Sequence, residues 1–150
     1  ALGVAVSANT ASNVLDDYEE GTYVPTIVGS SGGSYTCSTN DTLSYTKVGR
    51  LVHVFGKLEP DTDNSCSALL RFSLPFTSAS DTKKEGEGVG NAFIRNAGQS
   101  FPNNMVAFIG SGLTYFYLSW HQDNGTSENV FHTNVDAAFD LWVGFSYWAA

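Results

Sequence analysis

Hydrophobic and polar residues alternate with a period of two over much of this chain, and no stretch carries the spacing of a convincing amphipathic helix. The alternation predicts strands over 23–28, 43–48, 50–58, 68–76, 89–95, 105–109, 113–120, 129–135 and 139–147. Turn-forming clusters separate them: Ser30-Ser31-Gly32-Gly33, Pro60-Asp61-Thr62-Asp63-Asn64, Lys83-Lys84-Glu85-Gly86-Glu87-Gly88 and Asp123-Asn124-Gly125. Asn-Gly readily takes positive φ, so 113–120 is expected to fold back on 129–135 as a hairpin. Many short strands punctuated by glycine and polar turns point to an all-β fold, an antiparallel sandwich or barrel. No internal repeat is visible and composition does not shift after the first twenty residues. One domain over 21–150 is therefore expected, preceded by a connecting segment over 1–20.

The two faces of the predicted strands differ in kind. Along 68–76, Ala68, Leu70, Phe72, Leu74 and Phe76 share one face and Arg71 and Ser73 the other, as for a strand with core on one side and water on the other. Three other strands are apolar on both faces. Val52, Val54 and Leu58 oppose Leu51, His53 and Phe55; Leu113, Tyr115 and Tyr117 oppose Phe116, Leu118 and Trp120; Leu141, Val143, Phe145 and Tyr147 oppose Trp142 and Trp148. A two-sheet sandwich has one interior, and burying a Phe or Leu side chain is worth about 1.5–3 kcal/mol. The surplus face is therefore expected to be a subunit interface, with Leu51, His53, Phe55, Trp142 and Trp148 on it; an exposed aromatic scatter or a covering loop is the alternative.

Composition narrows the partners. The 150 residues carry 7 Lys+Arg against 15 Asp+Glu, a net charge of −8, which leaves nothing to neutralise a run of phosphates or to dock on an anionic leaflet. Nucleic acid and membrane surfaces are thus poor partners, and no apolar run approaches the ~20 residues that span a bilayer. The opening Ala1, where an initiator Met would stand, leads to the expectation of further chain upstream. Cys37 and Cys66 are too few for a zinc site or a disulfide framework; they form one bridge at most, or remain two small apolar thiols.

Candidate chemistry is sparse. His53, His121 and His132 are the only imidazoles, no nucleophile–base arrangement is recognisable, and His53 lies on the apolar Leu51 and Phe55 face. Neither catalysis nor a cofactor is expected. Asp16, Asp17, Glu19 and Glu20 could hold a hard cation, but their spacing is not that of a calcium loop, and a solvated acidic segment accounts for them. The candidate glycan-contact set is Tyr115, Tyr117, Trp120, His121, Asp123 and Asn124, together with Gln122. Rings there can stack on sugar C–H faces while amides and carboxylates supply directional hydrogen bonds. Core or interface packing of the same aromatics is the competing reading.

Three segments resemble a known family. Asn13-Val14-Leu15-Asp16-Asp17-Tyr18-Glu19-Glu20-Gly21-Thr22-Tyr23-Val24-Pro25-Thr26 resembles a segment, LDDYEEGTWTPT, of tail fibre and tailspike proteins of tailed bacteriophages, with Tyr23 and Val24 in place of Trp-Thr. Tyr45-Thr46-Lys47-Val48-Gly49-Arg50-Leu51-Val52 resembles the family's YTKIG element, and Ser73-Leu74-Pro75-Phe76-Thr77 its SLPFT. Order and spacing agree, over roughly the first half of the chain. The resemblance implies a distal β-sandwich of jelly-roll (TNF-like) style following a shaft, assembled as a homotrimeric knob. It also implies a place in the virion outside the cell, and host attachment through a bacterial surface glycan or protein. A pure trimerisation cap, or a glycan-cleaving domain, are the alternatives.

Overall fold

The computed structural model describes residues 17–80, 82, 85–101, 104–122 and 125–150. These form twelve strands: β1 (Tyr18–Tyr23), β2 (Ile27–Gly29), β3 (Ser34–Thr36), β4 (Leu43–Val48), β5 (Leu51–Leu58), β6 (Thr62–Asn64), β7 (Leu70–Ser73), β8 (Gly88–Arg95), β9 (Met105–Ile109), β10 (Tyr115–His121), β11 (Ser127–Asn129) and β12 (Asp140–Trp148). The only helical element among the described residues is a single 3-10 turn, His132–Asn134. Every pairing between strands is antiparallel, in the order β1-β4-β5-β12-β8-β9-β10-β7-β2-β3-β6, with β11 on β10.

Chain connectivity forces this sheet to curl. Only Val24, Pro25 and Thr26 separate β1 from β2, and four Cα steps reach at most about 15 Å. Yet β2 stands eight places from β1 in the sheet, about 38 Å away if it were flat. The same eight-place jump recurs from β3 to β4 and from β5 to β6. The two halves must face each other, and the core fills the space between them. Leu43, Val52, Val54, Leu58, Leu70, Phe72, Ile109, Phe116, Leu118 and Leu141 are fully buried there. Phe116, on β10, stacks on Phe72 at 5.0 Å between ring centres and tilts against Phe145 at 4.8 Å, so it touches both halves. Two hydroxyls bridge the facing halves: that of Tyr147 donates to the Phe76 carbonyl at 2.8 Å, and that of Tyr23 to the Ser73 carbonyl at 3.2 Å.

The all-β antiparallel reading holds, and several boundaries move. The strand expected over 23–28 is two strands, because Pro25 offers no amide N–H to a ladder and the chain leaves one sheet edge for the other at this point. β1 begins at Tyr18, pairing Tyr18 with Val48. The segment expected over 129–135 contributes only Asn129 to a strand; beyond it Asn134 turns its side-chain carbonyl onto the Phe131 N–H at 2.7 Å and closes the 3-10 turn. The hairpin with β10 forms nonetheless, Trp120 opposite Glu128 and His121 opposite Ser127, and Gly125 takes a φ of +82° in its loop. At Gly33, φ is +70° and a Cβ would lie 2.0 Å from the Ser65 carbonyl, so the turn before β3 requires glycine.

Cys37 and Cys66 are both free thiols. Burial, reinforced by Asp41 and Asp61, pushes the Cys37 thiol up to about 11, so it carries almost no thiolate at neutral pH and is a poor nucleophile. The acidic stretch at β1 is spent on its neighbour β4: Asp17 pairs with Lys47, and Glu19 accepts from the Tyr45 hydroxyl at 2.6 Å. Glu20 accepts from Tyr18 within β1 itself at 2.6 Å. Asp16 lies outside the described residues. No three His, Cys, Asp or Glu side chains converge among the described residues.

Candidate functional site: the outer face of the sheet

Strand alternation places one set of side chains in the core and the other on the convex outside, and register aligns the outer set into rows. Leu51 (β5) faces Trp148 (β12). Phe55, Gly144, Asn91, Val106 and Ser119 line up across β5, β12, β8, β9 and β10. Val89, Phe108 and Tyr117 form a third row, and Lys57, Trp142 and Phe93 a fourth. The outer face of five adjacent strands is therefore largely apolar, with Phe55 51%, Val89 62% and Phe93 60% exposed. Gly144 forms a floor in its centre, where an added Cβ would meet nothing within 4 Å. His53 sits on the same face, stacked on Phe55 at 6.0 Å and with Nδ1 2.9 Å from the Ser146 hydroxyl.

One end of the face is closed by charge. Trp142 lies between two cations, Lys57 Nζ 4.7 Å and the Arg95 guanidinium 5.2 Å from its ring centre. Both are anchored by Asp140: Oδ1 meets Lys57 Nζ at 3.0 Å, while Oδ2 accepts from Arg95 Nε and Nη2 at 3.0 Å each and from Asn96 Nδ2 at 2.7 Å. Lys57 also pairs with Glu59. The Lys57 hydrogen bond, then those of Arg95, outweigh the opposing effect of burial and hold the Asp140 carboxyl down at about 2. A depressed carboxyl stabilises the fold above its unfolded value of 3.8, and that contribution disappears as pH falls through about 2. Acid titration of wild type is thus expected to lose stability between about pH 4 and pH 2 more steeply than titration of Asp140→Asn; identical slopes would contradict the assignment.

The residues singled out from the sequence fall into three places. Leu51, His53, Phe55, Trp142 and Trp148 all lie on the outer face. Tyr115 and Tyr117 also point outward, Tyr117 tilted against Phe108 at 5.3 Å and Tyr115 beneath the Arg71 guanidinium at 4.7 Å. Trp120 has the opposite parity: it packs on the core side, edge-on to Phe101 at 5.6 Å, its indole Nε1 buried without a hydrogen-bond partner. His121 is exposed at the far end of β10, while Asp123 and Asn124 lie outside the described residues. The segment therefore does not present one continuous contact surface with all its aromatics, because a strand sends alternate residues to opposite sides. Sequence reading missed Val89, Phe93, Val106 and Phe108, which complete the outer face. Their signal was present, since Val106 and Phe108 alternate with the equally apolar Met105, Ala107 and Ile109.

No family model matches this sequence, and no curated protein matches it. Among solved structures, the chain is similar to the crystal structure of Dettilon tailspike protein, with a TM-score of 0.69 and 13% identity over 87% of this chain and 23% of that one. It thus spans about a quarter of that protein's length. At this identity the likeness is one of fold: a strongly curled antiparallel sheet, almost without helix, as found in part of a phage tailspike protein.

Proposed function

We propose that this chain is a distal domain of a tail fibre or tailspike of a tailed phage, which assembles as a homotrimer, holds three chains in register and contributes to attachment to a bacterial surface. The three eight-place crossings support a jelly-roll style of winding, and the outer face of β5, β12, β8, β9 and β10 is the trimer contact. The observation that carries this reading is that continuous apolar face. Five strands about 4.8 Å apart and of five to nine residues cover roughly 600 Å² per copy, so three copies packed on this face bury about 1,800 Å² in all. An apolar contact of this size separates slowly, which suits a particle exposed outside the cell. Light scattering on the purified chain tests the reading: a mass near three copies is expected, and a stable single copy at micromolar concentration overturns it.

A further inference from the structure

Beyond the apolar face, where the sheet turns from β10 to β7 and β2, lies a groove of about 290 Å³ lined by Thr26, Val28, Arg71, Ser73, Thr114 and Tyr115. Arg71 dominates it. Among the described residues the other cations are taken: Lys47 by Asp17, Lys57 by Asp140 and Glu59, Arg95 by Asp140, and Arg50 Nε by the Ala149 carbonyl at 2.9 Å. Arg71 has no such partner. Its guanidinium lies over the Tyr115 ring at 4.7 Å, and its Nε is buried and makes no hydrogen bond within the protein. A buried charged donor left unsatisfied is costly and uncommon, and here it occurs in a chain with an excess of carboxylates that could have met it.

We propose that this groove binds the carboxylate of an acidic sugar. A guanidinium is planar and carries its donors as a fork, the geometry that receives a carboxylate through two parallel hydrogen bonds, and the Tyr115 ring 4.7 Å below limits how that fork can turn. The groove's hydroxyl-bearing residues Thr26, Ser73 and Thr114 flank Arg71 and suit sugar hydroxyls, which both donate and accept. Ser73 Oγ already accepts from the Thr26 N–H at 2.9 Å, which fixes those two residues against each other. A volume at the low end of ligand pockets, roughly 300–1,000 Å³, admits a single monosaccharide unit. With a net charge of −8, the domain repels densely anionic polymers, so the fitting ligand is an isolated hexuronate-type residue in an otherwise neutral glycan. Only the source of that glycan, a bacterial envelope, rests on the function proposed above.

Sodium D-galacturonate is the probe, titrated into the full chain while the Arg71 Nε–H and Tyr115 ring signals are followed by NMR, with D-galactose and sodium acetate as controls. Saturable shifts with galacturonate are expected, with both controls weaker by about tenfold or more, since each lacks half of the recognised chemistry. Arg71→Gln should weaken galacturonate by at least about tenfold, and Arg71→Lys, which keeps the charge and loses the fork, should also weaken it. Unchanged spectra, acetate binding as tight as galacturonate, or equal binding by wild type and both variants each overturn the proposal. So does a loss of assembled mass in Arg71→Gln with galacturonate silent, because Arg71 would then be meeting a carboxylate of a second copy. Light scattering of wild type alone decides the trimer, so the two readings fail separately.

Discussion

Phe116→Ala is expected to cost about 3–5 kcal/mol of stability, a large share of the roughly 5–15 kcal/mol available to a domain. The ring is fully buried, stacked on Phe72 at 5.0 Å and against Phe145 at 4.8 Å, so removing it opens a cavity between the facing halves of the sheet. For a chain of this length the loss corresponds to a melting point lower by roughly 6–20 °C. Phe93→Ala is the matched control. The same atoms are deleted from a side chain that is 60% exposed, and in the dissociated chain the cost is expected to stay within about 1 kcal/mol. Urea unfolding of both variants at low protein concentration makes the comparison; equal losses would mean that inner and outer faces have been misassigned.

Gly144→Glu should have the opposite profile, leaving the single chain intact and abolishing its assembly. Nothing lies within 4 Å of a Cβ at this position, so the protomer has room for the new side chain. In the assembled state the same carboxylate would be buried among Phe55, Trp142 and the copies of itself, unpaired. Such a charge costs about 3–5 kcal/mol, or a weakening of association by at least about a hundredfold. Sedimentation or light scattering is expected to show a single copy with an unchanged far-ultraviolet spectrum, while Gly144→Ala keeps the assembled mass. An assembled Gly144→Glu chain would remove this face from the proposed contact.

Much of the sheet was legible from alternation alone. β4 and β9 fall where the pattern placed them, and β5 alternates as read, with Val52 and Val54 inside and Leu51, His53 and Phe55 outside. The losses have specific causes. β3 (Ser34, Tyr35, Thr36) and β6 (Thr62, Asp63, Asn64) are three residues each and mostly polar; they are strands because they pair with one another at the sheet edge, and Ser, Thr, Asp and Asn otherwise read as turns. The eight-place crossings leave no local trace either, since Val24-Pro25-Thr26 looks like a break within a strand. Most obscure was the Arg71 groove. In sequence Arg71 is an ordinary polar residue opposite Leu70 and Phe72, and only the fold brings Thr26, just before β2, and Thr114, just before β10, to it from distant points of the chain.

The last strand in chain order, β12, stands in the middle of the sheet, with β5 on one side and β8 on the other. Until residues 140–148 have left the ribosome, those two neighbours have no bond between them and both present bare edges, Phe55 and Phe93 among them. The domain therefore cannot close until residues 140–148 are made, and a nascent chain stalled before them is a template for mispairing with its siblings. Polysome-bound chains are the population to protect: synthesis of this protein should depend on holding chaperones more than its compact final form would indicate.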